Sequence, residues 1–164
     1  MASRRTLLAA GAAALVSGCG FQLRQAPHFA FQTIYINGSA GSALVQDIRR
    51  GISKAKDIAI VADPTAAQVV LDVLLDRREK VVVGLNASGE VREFQLRTRF
   101  QFRLRTPQGK ELIPLVELVQ QRDISFTETT ALAEEQGEVL LYRDMQQDIV
   151  QQLMRRLAAI QTLG

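Results

Sequence analysis

The chain has 164 residues, of which 47% are hydrophobic and 23% charged, and this balance fits one domain with a single core. It contains one cysteine, no tryptophan and few other aromatic residues. This excludes an internal disulfide and argues against an aromatic-lined pocket for sugars or nucleotides. The net charge of +3 includes Arg4 and Arg5 in an acid-free N-terminal stretch, and without them the charge is about +1. The basic excess therefore gives no reason to expect nucleic-acid binding.

The first 18 residues have the layout of an export signal. Two basic residues, Arg4 and Arg5, precede an apolar run from Leu7 to Val16, which ends at two small residues. The run is about ten residues long, whereas a permanent membrane helix needs roughly 20. We therefore predict that residues 1–18 are a signal peptide that is removed. The paired arginines leave a twin-arginine export route open beside the general one.

Cys19 follows this stretch in the sequence Val16-Ser17-Gly18-Cys19, which resembles the lipobox of bacterial lipoproteins. Lipidation of the cysteine needs a nucleophilic sulfur, small neighbours and a branched apolar residue three positions upstream. The sequence has all three. The alternative to a lipobox is that Cys19 occurs by chance at the end of an alanine-rich signal peptide. The resemblance implies an S-diacylglycerol and an N-acyl chain on Cys19, which would anchor the protein to a membrane. Many lipoproteins kept at the inner membrane have Asp at the next position, so Gly20 favours the outer membrane, on its periplasmic side.

The mature chain begins with a predicted tether, residues 19–31. A β-branched and aromatic stretch from Thr33 to Asn37 then predicts a strand. Ser42 is a candidate helix cap, because the apolar residues that follow it recur at helical spacing. They are Leu44, Ile48, Ile52 and Ala55. Residues 58–61 could form a short edge strand.

Two long strands are predicted next. Gln68 to Asp76 is apolar on both faces and continues through a charged patch into Val81–Val83, which predicts a strand with a bulge. Asn86 to Gly89 has the composition of a turn. From residue 91 to residue 105, apolar and polar side chains alternate with period two, which predicts a strand with one buried and one wet face.

A return strand and a long helix complete the chain. Thr106 to Lys110 predicts a turn, and Pro114 stands before the return strand, Leu115 to Phe126. Glu138 to Ile160 predicts a helix with one apolar stripe. The stripe consists of Leu141, Met145, Ile149, Leu153, Leu157 and Ile160.

These elements predict an α+β two-layer sandwich: a sheet of about four strands with two helices packed on one face. Residues 32–164 would form this single domain. The opposite face of the sheet has no helix to cover it.

The mature chain offers no catalytic constellation. Its one histidine, His28, lies in the tether without a second metal ligand near it in the sequence. Carboxylates such as Asp72 and Glu134 have no partner that the sequence can place. We therefore expect no enzyme, no metal and no cofactor apart from the covalent lipid on Cys19.

Arginines recur on the polar side of the alternating strand, at Arg97, Arg99, Arg103 and Arg105, and we call these four residues the arginine row. Consecutive side chains on one face of a strand stand about 7 Å apart. Such a row could neutralise a line of phosphates or carboxylates. The alternative is a solvated face whose arginines pair across strands with Glu117, Asp123 or Asp72.

The mature N-terminus resembles that of the LptE family, lipoproteins of lipopolysaccharide assembly. Cys19-Gly20-Phe21-Gln22-Leu23-Arg24 is similar to the family's lipidated Cys-Gly, an aromatic residue and then Leu-Arg. The order of elements is similar too, as is the closing helix that ends in Gln152-Leu153-Met154-Arg155-Arg156-Leu157. The resemblance covers nearly the whole mature chain, although some relatives extend well past the last helix.

This resemblance implies a lipoprotein that plugs the large β-barrel LptD, helps that barrel assemble and binds lipopolysaccharide. A basic residue near the start of the closing helix would contact lipopolysaccharide, and by register it corresponds to Arg143, with a merely solvated arginine as the alternative. Leu85 to Gly89 aligns with a loop that is basic in some relatives and has no Lys or Arg here. An accessory subunit of another envelope lipid-transport system stays open as a second interpretation.

Overall fold

A mixed sheet of five strands, with two helices on one face, forms the part of the chain that the computed structural model describes, residues 28–55, 58–125 and 131–163. The strands are β1 (Thr33–Asn37), β2 (Ala59–Ile60), β3 (Val69–Leu85), β4 (Val91–Arg105) and β5 (Glu111–Ser125), and the helices are α1 (Ala43–Ser53) and α2 (Ala131–Ala158). Their order in the sheet is β2-β1-β3-β4-β5. β1 is parallel to both of its neighbours, while β3, β4 and β5 are antiparallel. The predicted α+β two-layer class is confirmed; the sheet has five strands because the candidate edge strand at 58–61 does form, as β2.

The core lies between the helices and the sheet, where β4 contributes every second residue. Phe100, Phe102 and Leu104 are fully buried and pack with Ile149 of α2, which confirms the face assigned to the alternating strand. Helix α1 adds its own apolar stripe to the same cluster: Leu44, Val45, Ile48 and Ile52. The end of the predicted tether also belongs to this cluster, because Phe29 and Phe31 are buried in it.

Ser42 caps α1, as the sequence predicts. Its hydroxyl oxygen accepts a hydrogen bond from the backbone N–H of Val45 at 3.0 Å, in the usual geometry of a serine N-cap. The same hydroxyl donates to the carboxylate of Asp76 on β3 at 2.5 Å. The start of α1 is therefore attached to the middle of β3.

Two elements begin well before their predicted starts. Strand β5 begins at Glu111 and includes Pro114, which an edge strand tolerates at an irregularity, and the pairing of β5 with β4 shifts between Ile113 and Val116. Helix α2 begins at Ala131, seven residues before the predicted start at Glu138. The extra residues include Ala, Leu and Glu, which are good helix formers but do not extend the apolar stripe used for the prediction.

Both long hairpins reach beyond the main core. Their turns have the predicted positions, with positive φ at Gly89 (81°) and Gly109 (94°), a conformation that glycine adopts without strain. A smaller buried cluster under the N-terminal part of α2 consists of Leu96, Tyr142 and Met145. The Tyr142 hydroxyl donates a hydrogen bond to the backbone oxygen of Glu79 on β3 at 2.8 Å.

Candidate functional site on the open face of the sheet

The sheet face opposite the two helices, which we call the open face, displays the arginine row. Cross-strand pairing sets the neighbours of each arginine: Asp72 lies opposite Arg103, and Glu79 lies opposite Arg97. On the other side of β4, Gln101 is opposite Glu117. Directly opposite side chains in an antiparallel pair stand about 5 Å apart, so acids and arginines of this face can pair.

Two arginines of the row bind one buried carboxylate, that of Asp72. Its side chain is 3% exposed and accepts hydrogen bonds from Nε of Arg103 at 2.9 Å and Nε of Arg105 at 2.8 Å. The side-chain amide of Asn37 on β1 donates a third at 3.0 Å. Burial acts to raise the pKa of Asp72, but these hydrogen bonds and the charge of Arg105 outweigh it and lower the pKa to about 2. Asp72 thus holds the Nε groups of both Arg103 and Arg105.

Arg99 is paired as well. Its Nε donates to Oε1 of Glu117 at 2.7 Å, and its Nη1 lies 3.7 Å from Oε1 of Glu79. The hydrogen bond with Glu117 raises the pKa of Arg99 and lowers the pKa of Glu117. The alternative in which the row pairs across strands therefore holds for Arg99, Arg103 and Arg105.

Arg97 differs from the other three. Its Nε donates to Oε1 of Gln95 at 2.6 Å, a neutral partner on the same strand. Among the described residues, no carboxylate lies within ion-pair distance of Arg97. Sequence reasoning overlooked Arg77 on β3, which is opposite Arg99. In the described part of the chain its one ion pair is with Glu79, at 4.0 Å. The pairing register, which sequence does not show, makes Arg77 a diagonal neighbour of Arg97 on the open face.

Arg143 lies elsewhere. It is exposed on α2, whose packing against the helix side of the sheet separates it from the arginine row, and no ion pair within the described ranges includes it. Val139 and Leu140, one turn earlier, are 63% and 59% exposed. The candidate lipopolysaccharide contacts thus form two separate surfaces, Arg97 on one side of the sheet and Arg143 on the other.

The remaining sequence candidates concern the N-terminus. Cys19 lies outside the described residues. His28 is exposed at the rim of a depression of about 520 Å³ that Phe31, Ile58 and Gln68 also line. In the described part of the chain, no cluster of three or more His, Cys, Asp or Glu could hold a metal ion. Likewise, none of the helices described here combines the length and apolarity needed to cross a bilayer.

The fold places the chain in the same structural class as several bacterial lipoproteins. The solution structure of an uncharacterized lipoprotein B from Nitrosomonas europaea superimposes with a TM-score of 0.74 at 35% identity, over 85% of this chain and 91% of that one. The crystal structure of the rare lipoprotein B from Shewanella oneidensis matches in fold, with a TM-score of 0.62 at 20% identity, over 77% of this chain and 94% of that one.

The sequence comparisons are more specific than the fold. The family model described as LptE, Lipopolysaccharide-assembly, matches residues 31–157. The LPS-assembly lipoprotein LptE of Pectobacterium atrosepticum is 28% identical over 159 residues, which cover 94% of this chain and 85% of that protein. The chain belongs to the LptE family, which confirms the resemblance seen in the sequence.

Proposed function

We propose that this chain is an outer-membrane lipoprotein that plugs the LptD β-barrel, helps it to assemble and assists the insertion of lipopolysaccharide into the outer membrane. Membership of the LptE family carries this proposal, because its model covers nearly all of the packed domain, from Phe31 to Leu157. In this role the protein is an accessory subunit without catalysis, cofactor or nucleic-acid partner. Lipopolysaccharide and the barrel are its partners, and the acyl chains on Cys19 are its link to the membrane.

The proposal is tested by purification of the tagged, full-length protein from solubilised outer membranes. We expect a large β-barrel protein that is heat-modifiable on gels to be recovered in a one-to-one complex. Recovery of an inner-membrane permease would instead support the accessory subunit of another lipid-transport system. A tagged outer-membrane lipoprotein of another family serves as the control for carry-over of abundant barrels.

Removal of the lipid anchor should change the location of the protein. Each buried methylene of an acyl chain contributes about 0.8 kcal/mol to membrane binding, so several chains dominate over any other membrane contact. We expect Cys19→Ala to prevent acylation. Washing should then release most of the protein from the membranes. Fractionation with a radiolabelled fatty acid measures both effects, with Ser17→Ala as a control that keeps the thiol. Incorporation of label into Cys19→Ala would contradict the lipidation site.

The open face should contribute to lipopolysaccharide binding mainly through Arg97. Because its guanidinium has no acidic partner in the described ranges, replacement by Gln removes a charge-assisted contact with phosphate and leaves the ion pairs of the sheet intact. We expect Arg97→Gln to weaken the binding of purified lipopolysaccharide roughly tenfold at low salt, with an unchanged thermal melt. Arg143→Gln tests the second surface in the same assay.

The other two candidates, Arg99 and Arg103, need a different interpretation. Glutamine at Arg103 removes a partner of the buried Asp72, and glutamine at Arg99 removes the partner of Glu117. A triple variant at Arg97, Arg99 and Arg103 would therefore lose stability together with charge. Arg155→Gln, at an exposed arginine near the end of α2, is the matched control for the single variants. Equal affinities of wild type, Arg97→Gln and Arg155→Gln would remove the open face from the proposal.

A further inference from the structure

One end of the domain contains the starts of three strands and the turn between the other two. Thr33 of β1 pairs with Ala59 of β2, and Ile34 pairs with Val69 of β3, so these three parallel strands begin at the same end. The turn between β4 and β5 lies there too, because β4 is antiparallel to β3. His28, the first described residue, precedes β1 at this end. We call it the proximal end because it is nearest to the N-terminus.

Both helices also end at the proximal end. Asp47 of α1 accepts a hydrogen bond from the side-chain amide of Gln146 on α2, and one turn further along α1, Gly51 lies against Met154, so the two helices are parallel. The N-terminal part of α2 lies over the smaller cluster, towards the opposite end. Leu157, in the last turn of α2, belongs to the main cluster together with the buried residues that precede β1.

Three elements place exposed basic side chains at the proximal end. These residues are Lys54, the C-cap of α1, Arg156, in the last turn of α2, and Lys110, in the turn between β4 and β5. No ion pair within the described ranges includes any of the three. Basic residues at the C-terminal end of a helix are favourable in themselves, but this reason does not apply to Lys110.

The opposite end of the domain has a different pattern of charge. The basic residues nearest the turn between β3 and β4 are all in ion pairs, which are Lys80 with Glu138, Arg92 with Glu90 and Arg122 with Asp148. Glu93 and Asp123 at that end form no ion pair with another described residue. The exposed acids described at the proximal end are Asp63 and Glu111, and the basic residues there outnumber them. Unpaired positive charge is therefore concentrated at the proximal end.

The proposed lipid anchor would hold the proximal end near a membrane. From Cys19 to His28 is nine residues, and a chain of that length spans at most about 30 Å. Strand β4 has 15 residues, so the opposite end of the domain is roughly 50 Å further away. Exposed charges act over about 8 Å at physiological ionic strength, so a membrane surface attracts the end that touches it and hardly affects the other.

We propose that the proximal end binds the anionic headgroups of a phospholipid membrane through Lys54, Lys110 and Arg156. This inference rests on the lipid anchor of the proposed function, to which basic residues at the surface add a second attachment. The contact orients the anchored domain with the turn between β3 and β4 pointing away from the surface. The open face and the far ends of the long strands stay accessible, so the contact precedes the entry of the domain into the barrel and does not replace it.

Chemical modification of lysines tests this orientation on the lipidated protein in vesicles. Acetylation of Lys54 and Lys110 by a water-soluble reagent should be roughly threefold slower on equal parts of phosphatidylcholine and phosphatidylglycerol than on phosphatidylcholine alone. Lys80, near the opposite end, is the internal control and should react equally fast on both. Molar salt should remove the difference, because it screens exposed charges. Mass spectrometry of peptides measures the rate at each lysine.

Charge reversal at Arg156 shows whether the basic residues cause the orientation. Arg156→Glu should return the labelling of Lys54 and Lys110 on anionic vesicles to the rate found on neutral ones. Arg92→Glu, at the opposite end, is the matched control and should leave that labelling slow. A thermal melt of each variant verifies folding. Equal rates for the wild type on both kinds of vesicle, equal slowing of Lys80, or labelling that stays slow in Arg156→Glu would overturn the proposal.

Failure of this proposal and failure of the proposed function give different results. Protein that floats with neither kind of vesicle has no lipid anchor, and that result overturns the membrane contact as well. Protein that floats with both kinds but shows equal lysine labelling has the anchor without the contact. Recovery of the one-to-one complex with the barrel does not depend on the labelling rates, so it tests the proposed function alone.

Discussion

Ile149→Asp is expected to abolish the folded state of the domain. Ile149 is fully buried on α2 and packs in the main cluster between the helix and the sheet. A lone carboxylate placed there has no basic partner, and its burial costs several kcal/mol. Because a domain of this size is stable by about 5–15 kcal/mol, most of that stability would be lost. We expect the variant to show no cooperative thermal transition and to accumulate poorly in cells.

The matched control for this substitution is Gln147→Asp, two residues earlier on the exposed side of the same helix. It introduces the same carboxylate without burial, so its melting curve should stay close to that of the wild type. Circular dichroism and denaturant unfolding of both variants make the comparison. A folded Ile149→Asp domain with an unchanged midpoint would mean that the apolar stripe of α2 is not core.

Asp72→Asn should lower the free energy of unfolding by roughly 2 kcal/mol, because it removes the buried carboxylate that two partly exposed guanidinium groups share. Asn has the shape of Asp but no charge, so packing on β3 is preserved. Arg103 and Arg105 each make their shortest contact with Oδ2 of Asp72. Denaturant unfolding at neutral pH measures the loss.

The same residue predicts a dependence on pH. The pKa of Asp72 is lowered in the folded protein from 3.8 to about 2, so the folded state favours the ionised form. Its contribution to stability is fully present above about pH 4 and is lost as the pH falls through 2. A shift of this size corresponds to roughly 2 kcal/mol. The difference in stability between wild type and Asp72→Asn should therefore shrink on acidification across this window.

Asp123→Asn supplies the control for both measurements. Asp123 is an exposed carboxylate on the same face of the sheet and accepts a hydrogen bond from the neutral Gln95 at 2.8 Å. Its replacement should change stability little at any pH. If Asp72→Asn and Asp123→Asn gave the same curves, the buried ion cluster would have no stabilising role.

The sequence predicted those parts of the fold in which a side-chain period is long and regular. Fifteen residues of alternation defined β4 with both of its faces, and a stripe at helical spacing defined the buried side of α2. The Ser42 cap was predictable because one side chain and one nearby N–H are sufficient for it. These signals are local, so a single sequence contains them.

Glu117 and Asp72 were named in the sequence as cross-strand partners for the arginine row, but which arginine meets which acid was not predictable. The pairing of Arg103 with Asp72 spans 31 residues and depends on the register between β3 and β4, which no short window specifies. For the same reason, the four arginines of the row looked equivalent in sequence, although only Arg97 has no acidic partner in the described residues. Pro114 suggested that the strand begins after it, at Leu115. An edge strand can contain a proline, but the sequence does not show that β5 is an edge.

The position of Asp72 also bears on how the strands find their alignment during folding. The three residues before it, Val69, Val70 and Leu71, are apolar and fully buried on both faces, so they would pack almost equally well if β3 slipped by one position. A slip of one residue turns every side chain of a strand to the other face. The carboxylate of Asp72 would then lie beneath the helices without Arg103, Arg105 and Asn37. A single buried acid thus raises the free energy of misaligned sheets, in which its apolar neighbours would still be well packed.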